Sequence, residues 1–277
     1  MASATSLRVA VAGLGAVGLP VATALARGGL PGLRLAAVSA SDLARAATRL
    51  QQIDHPAAYV PIVPADKLHE HADVVLEALP PAQFMEVAVP TLTAGKTLVA
   101  LSVTQVLENP HCETLAAEHG GRILIPSGAL CGLDAVRAAA EGGNVRSVTM
   151  RTRKPPRSLQ NAPVVAEKGI DLSQLSEAVC LYEGSVREAA KLFPANVNVA
   201  VALALAGIGP DRTTYEVWAD PRVERNTHVV IVESDESNFR IEVAGVPTAS
   251  NPATGALTPL SALATLRGLV STMKVGT

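Results

Sequence analysis

Two features of this sequence have the residue types and spacing to do chemistry. The first is Gly13-Leu14-Gly15-Ala16-Val17-Gly18. Gly13 permits a tight turn out of a strand. Gly15 has no Cβ, so the backbone there can approach a pyrophosphate. Gly18 lets the following helix pack close to the strand. Ala16 and Val17 carry the chain into the helix, whose free N–H groups and positive dipole end suit phosphate. The motif lies between an apolar run, Leu7 to Ala12, and a helical run, Leu19 to Arg27, that Gly28-Gly29 ends. That setting reads as a dinucleotide-binding loop, where the six residues alone would be a weak signal.

The second feature is a histidine. His228 opens an apolar, β-branched run, whereas His55, His69, His71, His111 and His119 fall in predicted loops or on polar helix ends. An imidazole near neutral pH can accept a proton or activate water. A lone histidine at a strand start is more often structural, so taken alone His228 fits either role. His69 and His71 would point about 200° apart on a helix with no third ligand nearby, so no metal is expected.

The acidic residue that usually follows the second strand of such a fold, ~20 residues after the last glycine, is missing. Val38-Ser39-Ala40-Ser41 stands there instead. Ser39 and Ser41 can hydrogen-bond a ribose hydroxyl or a 2′-phosphate, and Arg45 is within reach of a phosphate. The expectation is therefore NADP or NAD, with dual use. The competing possibility is that Asp42 takes over the work of the missing acid.

Positioning these residues requires an alternating fold. Strands are expected at Leu33 to Val38, Ala72 to Leu76, Thr97 to Leu101 and Arg122 to Ile125. Helices are expected at Ser41 to Leu50, Gln83 to Ala94 and Cys112 to Glu118. Such alternation makes βαβ units and a doubly wound parallel sheet of the Rossmann type. The second half reads differently. Arg146 to Lys154, Thr213 to Ala219, His228 to Glu233 and Phe239 to Val243 read as strands. Val186 to Leu192 and Ala195 to Ala206 read as helices, and Arg157 to Leu175 has little periodicity. The fold class is thus α/β: an N-terminal Rossmann domain, 1–126, and a C-terminal α+β domain, 127–277, with a mostly antiparallel sheet. A terminal helix, about 259–273, is expected to pack back toward the Rossmann domain.

Composition excludes several classes. Of 277 residues, 48% are hydrophobic and 17% charged, so the chain is not disordered. A net charge of -2 and only 3% aromatic residues argue against nucleic-acid binding. Val9 to Ala26 lacks charge, but Gly13, Gly15, Gly18 and Pro20 interrupt it, so no membrane segment is expected. Cys112, Cys131 and Cys180 are scattered and odd in number, which points to a reducing, cytoplasmic setting. Cys131 is expected to be a small buried residue.

Four further segments carry a family resemblance. They are Ile125-Pro126-Ser127-Gly128-Ala129-Leu130-Cys131-Gly132-Leu133-Asp134-Ala135, Lys191-Leu192-Phe193-Pro194-Ala195-Asn196-Val197-Asn198-Val199-Ala200, Asn226-Thr227-His228 and Asn251-Pro252-Ala253-Thr254-Gly255. With the glycine loop, and in this order along nearly the whole chain, they resemble the L-aspartate dehydrogenase family. The resemblance implies a homodimer that oxidises L-aspartate to iminosuccinate with NAD(P), the imine then hydrolysing to oxaloacetate and ammonia. In some organisms that imine feeds NAD biosynthesis. The family's active-site histidine falls on His228, and its contacts near the nicotinamide fall on Ala129 and on Asn198 with Asn196.

A dicarboxylic amino acid needs cationic or N–H clamps. Lys191, Arg153, Lys154 and the start of the Asn196 helix all qualify, and the sequence does not separate them. Glu77, before Pro80-Pro81, suits fixing a loop better than acid catalysis. Two alternatives stand beside the dehydrogenase reading. One is a sugar or polyol dehydrogenase, although the Glu-Lys-Pro such enzymes carry is replaced here by Leu101-Ser102-Val103. The other is a non-catalytic dinucleotide sensor.

Overall fold

Strand β1 (Leu7–Ala12) shows in its own side chains why the first sheet is covered on both faces. Val9 and Val11 enter one apolar cluster, with Leu25, Leu35 and Leu76. Ala10 and Ala12 enter another, with Val75, Phe84, Leu92 and Leu98. Side chains alternate across a strand, so an unbroken apolar run needs packing on both sides. The computed structural model describes residues 6–160, 165, 169–193, 197–248 and 251–276.

The other strands are β2 (Leu33–Ser39), β3 (Val74–Glu77), β4 (Thr97–Ala100) and β5 (Arg122–Leu124). All neighbours pair in parallel, in the order β2-β1-β3-β4-β5. The chain leaves β1 for β2 on one side and returns to β3 on the other. The order therefore reverses between β1 and β3, and a crevice for ligand opens at their C-terminal ends. The helices are α1 (Gly18–Ala26), α2 (Leu43–Gln52), α3 (Leu68–His71), α4 (Phe84–Thr93), α5 (Val103–Glu108) and α6 (His111–His119). Helix α4 runs on through Pro90.

The chain divides into two compact units. The first runs to Gly128 and takes back Thr258–Lys274; the second is Ala129–Leu257 with the last residues from Val275. The second unit contains α7 (Leu133–Glu141), β6 (Val145–Lys154), β7 (Val179–Ser185), α8 (Val186–Leu192), α9 (Asn198–Ala206), β8 (Thr213–Ala219), β9 (Thr227–Ser234) and β10 (Asn238–Ala244). Its sheet has the order β10-β9-β6-β8-β7. Three pairings are antiparallel, while β6 and β8 run parallel. That parallel pair exists because β7, α8 and α9 intervene as a long crossover between β6 and β8. A short pair, β11 (Pro247–Thr248) and β12 (Asn251–Gly255), precedes helix α10 (Leu257–Gly268).

Helix α10 belongs to the first unit. Its Ala262 and Leu266 are fully buried in the cluster that holds Val9 and Val11. It ends at Gly268, shorter than the 259–273 expected. Among the described residues, no helix is long and apolar enough to cross a membrane.

Candidate active site

The glycine loop behaves as its residue types require. Gly13 has a φ of +91°, and a Cβ there would lie 2.5 Å from the Ala78 carbonyl oxygen of the loop after β3. A Cβ on Gly18 would lie 1.8 Å from the Gly13 carbonyl oxygen. A Cβ on Gly15 would meet nothing within 4 Å. Gly13 and Gly18 are thus demanded by the fold itself. Gly15 has no such internal reason, and its open face lies where a dinucleotide pyrophosphate needs close approach. Helix α1 starts at Val17-Gly18 with no side-chain cap, although the Leu19 N–H donates to the Gly15 carbonyl at 3.1 Å. The residues present fit a dinucleotide.

At the end of β2, Ser39 is buried and its carbonyl accepts the Gly13 N–H at 2.8 Å. Ser41 is exposed. Asp42 caps α2, its carboxylate accepting the Arg45 N–H at 2.9 Å. One oxygen of that exposed carboxylate is therefore engaged locally. Arg45 is exposed. One turn further on, the Arg49 guanidinium donates to the Leu14 carbonyl inside the glycine loop. Sequence reasoning missed Arg49. Its only signal was the i,i+4 spacing from Arg45 on a helix, which puts both on one face.

Glu77 ends β3 fully buried. It accepts N–H groups from Leu79 at 3.0 Å, Leu101 at 3.2 Å and Ser102 at 3.0 Å, and the Ser102 hydroxyl at 2.9 Å. Burial pushes its carboxyl up, against these hydrogen bonds. It ties the loops after β3 and β4 together, which is the loop-fixing part expected of it. Ser102 occupies the segment where a polyol dehydrogenase would carry its lysine.

In the second unit, His228 on β9 stands directly opposite Thr152 on β6. Both are buried, and Thr152 Oγ1 lies 3.0 Å from His228 Nδ1. Thr152 also shares a hydrogen bond with the buried Tyr215, whose hydroxyl burial pushes up to about 12. Burial, with the nearby Lys154 ammonium, pulls His228 down to about 4. The imidazole is thus neutral at neutral pH, anchored through one nitrogen, with Nε2 left for chemistry.

The structure separates the three cations. Arg153 Nη1 is 3.4 Å from the Asp220 carboxylate. Lys191 is exposed on α8. Lys154 is half-buried on the same face of the sheet as Thr152 and His228.

Ala129 is half-buried at the start of the second unit, and Asn198 is half-buried as the first residue of α9. Asn196 lies outside the described residues. Cys131 is exposed, which corrects the expectation of a buried residue: it sits in the irregular segment before Gly132 and outside any helix or strand of its own. His55 accepts the Ala57 N–H at 3.2 Å and so caps a short turn. Among the described residues, no cluster of potential ligands could hold a metal ion.

Residues 134–269 match the family model described as aspartate dehydrogenase, C-terminal, and residues 13–126 match homoserine dehydrogenase, NAD binding domain. The chain is 48% identical over 277 residues, all of both chains, to L-aspartate dehydrogenase 3 of Bordetella bronchiseptica. It is 46% identical to the L-aspartate dehydrogenase of Bradyrhizobium diazoefficiens, covering 99% of this chain and 96% of that one. Its fold is similar to that of the aspartate dehydrogenase from Thermotoga maritima, with a TM-score of 0.72 and 25% identity, covering 98% and 99% of the two chains. A scyllo-inositol dehydrogenase from Lactobacillus casei has a TM-score of 0.54 at 13% identity over 96% of this chain and 87% of that one, a likeness of fold alone. The order of motifs, the two matched regions and identity along the entire chain agree, and the chain belongs to the L-aspartate dehydrogenase family.

Proposed function

We propose that this protein oxidises L-aspartate to iminosuccinate with NADP or NAD, the imine then hydrolysing to oxaloacetate and ammonia, and that it also runs the reverse amination. The observation that carries the reading is His228: a buried, neutral imidazole, held at Nδ1, in a chain whose other unit has the glycine loop. A bound nicotinamide would supply the hydride-accepting chemistry that removes the substrate Cα hydride. Everything else falls to the chain. The loop around Gly13, Gly15, Ala16, Val17 and Gly18 and the start of α1 hold the pyrophosphate. Ala129, Asn196 and Asn198 serve the nicotinamide end.

Nδ1–H of His228 donates to Thr152 Oγ1, which keeps the lone pair on Nε2. Nε2 takes a proton as the amine becomes an imine and releases it to solvent; neutral again, it draws one from the water that attacks the imine carbon and passes it to the nitrogen that leaves as ammonia. Balanced, aspartate loses a hydride and a proton, and one water enters as ammonia leaves. The reading follows from the family's named activity.

Use of NADP as well as NAD is supported by Ser39 and Ser41 at the end of β2, by the capping duty of Asp42, and by Arg45 and Arg49 on α2. We further assign the dinucleotide to residues 1–126, and substrate binding and homodimer formation to residues 127–277, in the cytoplasm.

Absorbance of the reduced nicotinamide tests the reaction, with L-aspartate and either NADP or NAD, and oxaloacetate plus ammonia in reverse. D-aspartate, L-glutamate, L-malate and a polyol serve as controls. Turnover confined to L-aspartate is expected, and turnover of the polyol alone would overturn the reading. Arg45→Ala is expected to raise KM for NADP severalfold and leave KM for NAD unchanged. An equal effect on both would remove Arg45 from 2′-phosphate recognition.

A further inference from the structure

Among the described residues, the Lys154 ammonium has no counter-ion. Lys154 ends β6 opposite Ala219 of β8, two residues beyond Thr152, so its side chain rises from the face that carries Thr152 and His228. Among the described residues no carboxylate bridges to its side chain, and its backbone carbonyl accepts the Asp220 N–H at 2.9 Å. The neighbouring cations of the strand are committed. Arg151 bonds Glu216 at 2.6 Å and lies over the Trp218 ring. Arg153 approaches Asp220, whose carboxylate Arg222 also holds. Both arginines alternate to the other face of β6.

A half-buried charge without a partner costs free energy, and a methionine or leucine would fill the space without that cost. Burial already pulls the Lys154 ammonium down, and its charge in turn depresses His228. A negative ligand would remove both penalties.

We propose that Lys154 binds a carboxylate of the dicarboxylic substrate, anchoring it beside the His228 imidazole. This rests on the aspartate reading above. It distinguishes Lys154 from Arg153 and Lys191, which are equivalent to it in the sequence. A carboxylate on the ammonium forms a charge-assisted hydrogen bond and leaves the amine-bearing carbon free to face Nε2.

The test uses the full chain with Lys154→Met and Lys154→Arg. Steady-state KM for L-aspartate is measured at saturating dinucleotide, and the binding of succinate, an unreactive dicarboxylate, by calorimetry. Loss of one charged hydrogen bond predicts a KM for aspartate and a Kd for succinate raised roughly 10–100-fold in Lys154→Met. KM for the dinucleotide should not move, and Lys154→Arg should recover part of the loss. Because an unpaired charge is removed, the melting temperature of Lys154→Met should equal or exceed that of the parent; a large fall would mark Lys154 as structural and overturn the assignment. A KM and Kd within about twofold of the parent would overturn it too, and so would a collapse in kcat at unchanged KM, which marks a proton-transfer group. If the parent does not turn over aspartate, the activity reading fails, and succinate binding still decides for or against Lys154.

Discussion

His228 is neutral at neutral pH because the fold, not the residue type, sets its charge. An unperturbed imidazole is half protonated near 6.5, whereas this one is brought to about 4 by burial and by Lys154. Two outcomes follow at this scale. His228→Ala should lower turnover ~10²–10⁴-fold and leave dinucleotide binding intact, checked by steady-state kinetics and by cofactor titration. Near-parent turnover would end the assignment. The second outcome concerns stability. Between pH 6.5 and 4 the unfolded chain binds a proton at this position and the folded chain does not. Stability therefore falls as pH is lowered through that window, by about 3 kcal/mol for the full shift. Urea unfolding at a series of pH values should show this slope in the parent. The slope should shrink in His228→Gln, and an unchanged slope would mean that other groups carry it.

The strand, loop and helix around Gly13 to Gly18 work as one element, and its glycines answer to different demands. Gly18→Ala puts a methyl group into the Gly13 carbonyl and should lower the melting temperature sharply. Gly15→Ala finds open space within the chain. It should melt like the parent and lose dinucleotide affinity, because the added methyl group occupies the approach to the pyrophosphate. Equal melting with equal affinity for Gly15→Ala would remove the loop from the cofactor site. Strand β7 illustrates what was hard to read at this scale. Val179-Cys180-Leu181-Tyr182-Glu183-Gly184-Ser185 alternates poorly because it is an edge strand, and its pairing slips between Cys180 and Tyr182. Helix α7 was hidden for another reason. It starts within the Gly132-Leu133-Asp134 segment of the junction motif, with a left-handed Gly132 as its cap in place of a polar side chain.

For the whole molecule, the return of the chain matters most. After the second sheet, α10 rejoins the first unit, where Ala262 and Leu266 complete the cluster of Val9, Val11 and Leu25. Val270 packs against Gly32, and Arg267 donates to the Gly29 carbonyl at 3.0 Å. A chain ending at Ala256 should therefore expose apolar surface on the glycine-loop unit. It should bind a hydrophobic dye and melt well below the parent. Equal melting would show that α10 adds little to that core.

The sequence by itself determined the class of the protein. The glycine loop, the alternation of Leu7 to Ile125 and the ordered motifs from Ile125 to Gly255 are local patterns, and local patterns report backbone periodicity and permitted φ. Strand β1, helix α8 and strand β8 were legible to the residue for the same reason. Tertiary structure alone decided the rest. It decided that Asp42 caps a helix, that Cys131 is exposed, that β6 and β8 run parallel, and that Lys154, not Arg153, shares a face with His228. Each of these depends on which distant segment lies alongside. Register across a sheet, and the burial and charge that come with it, are properties of the pair and not of either strand.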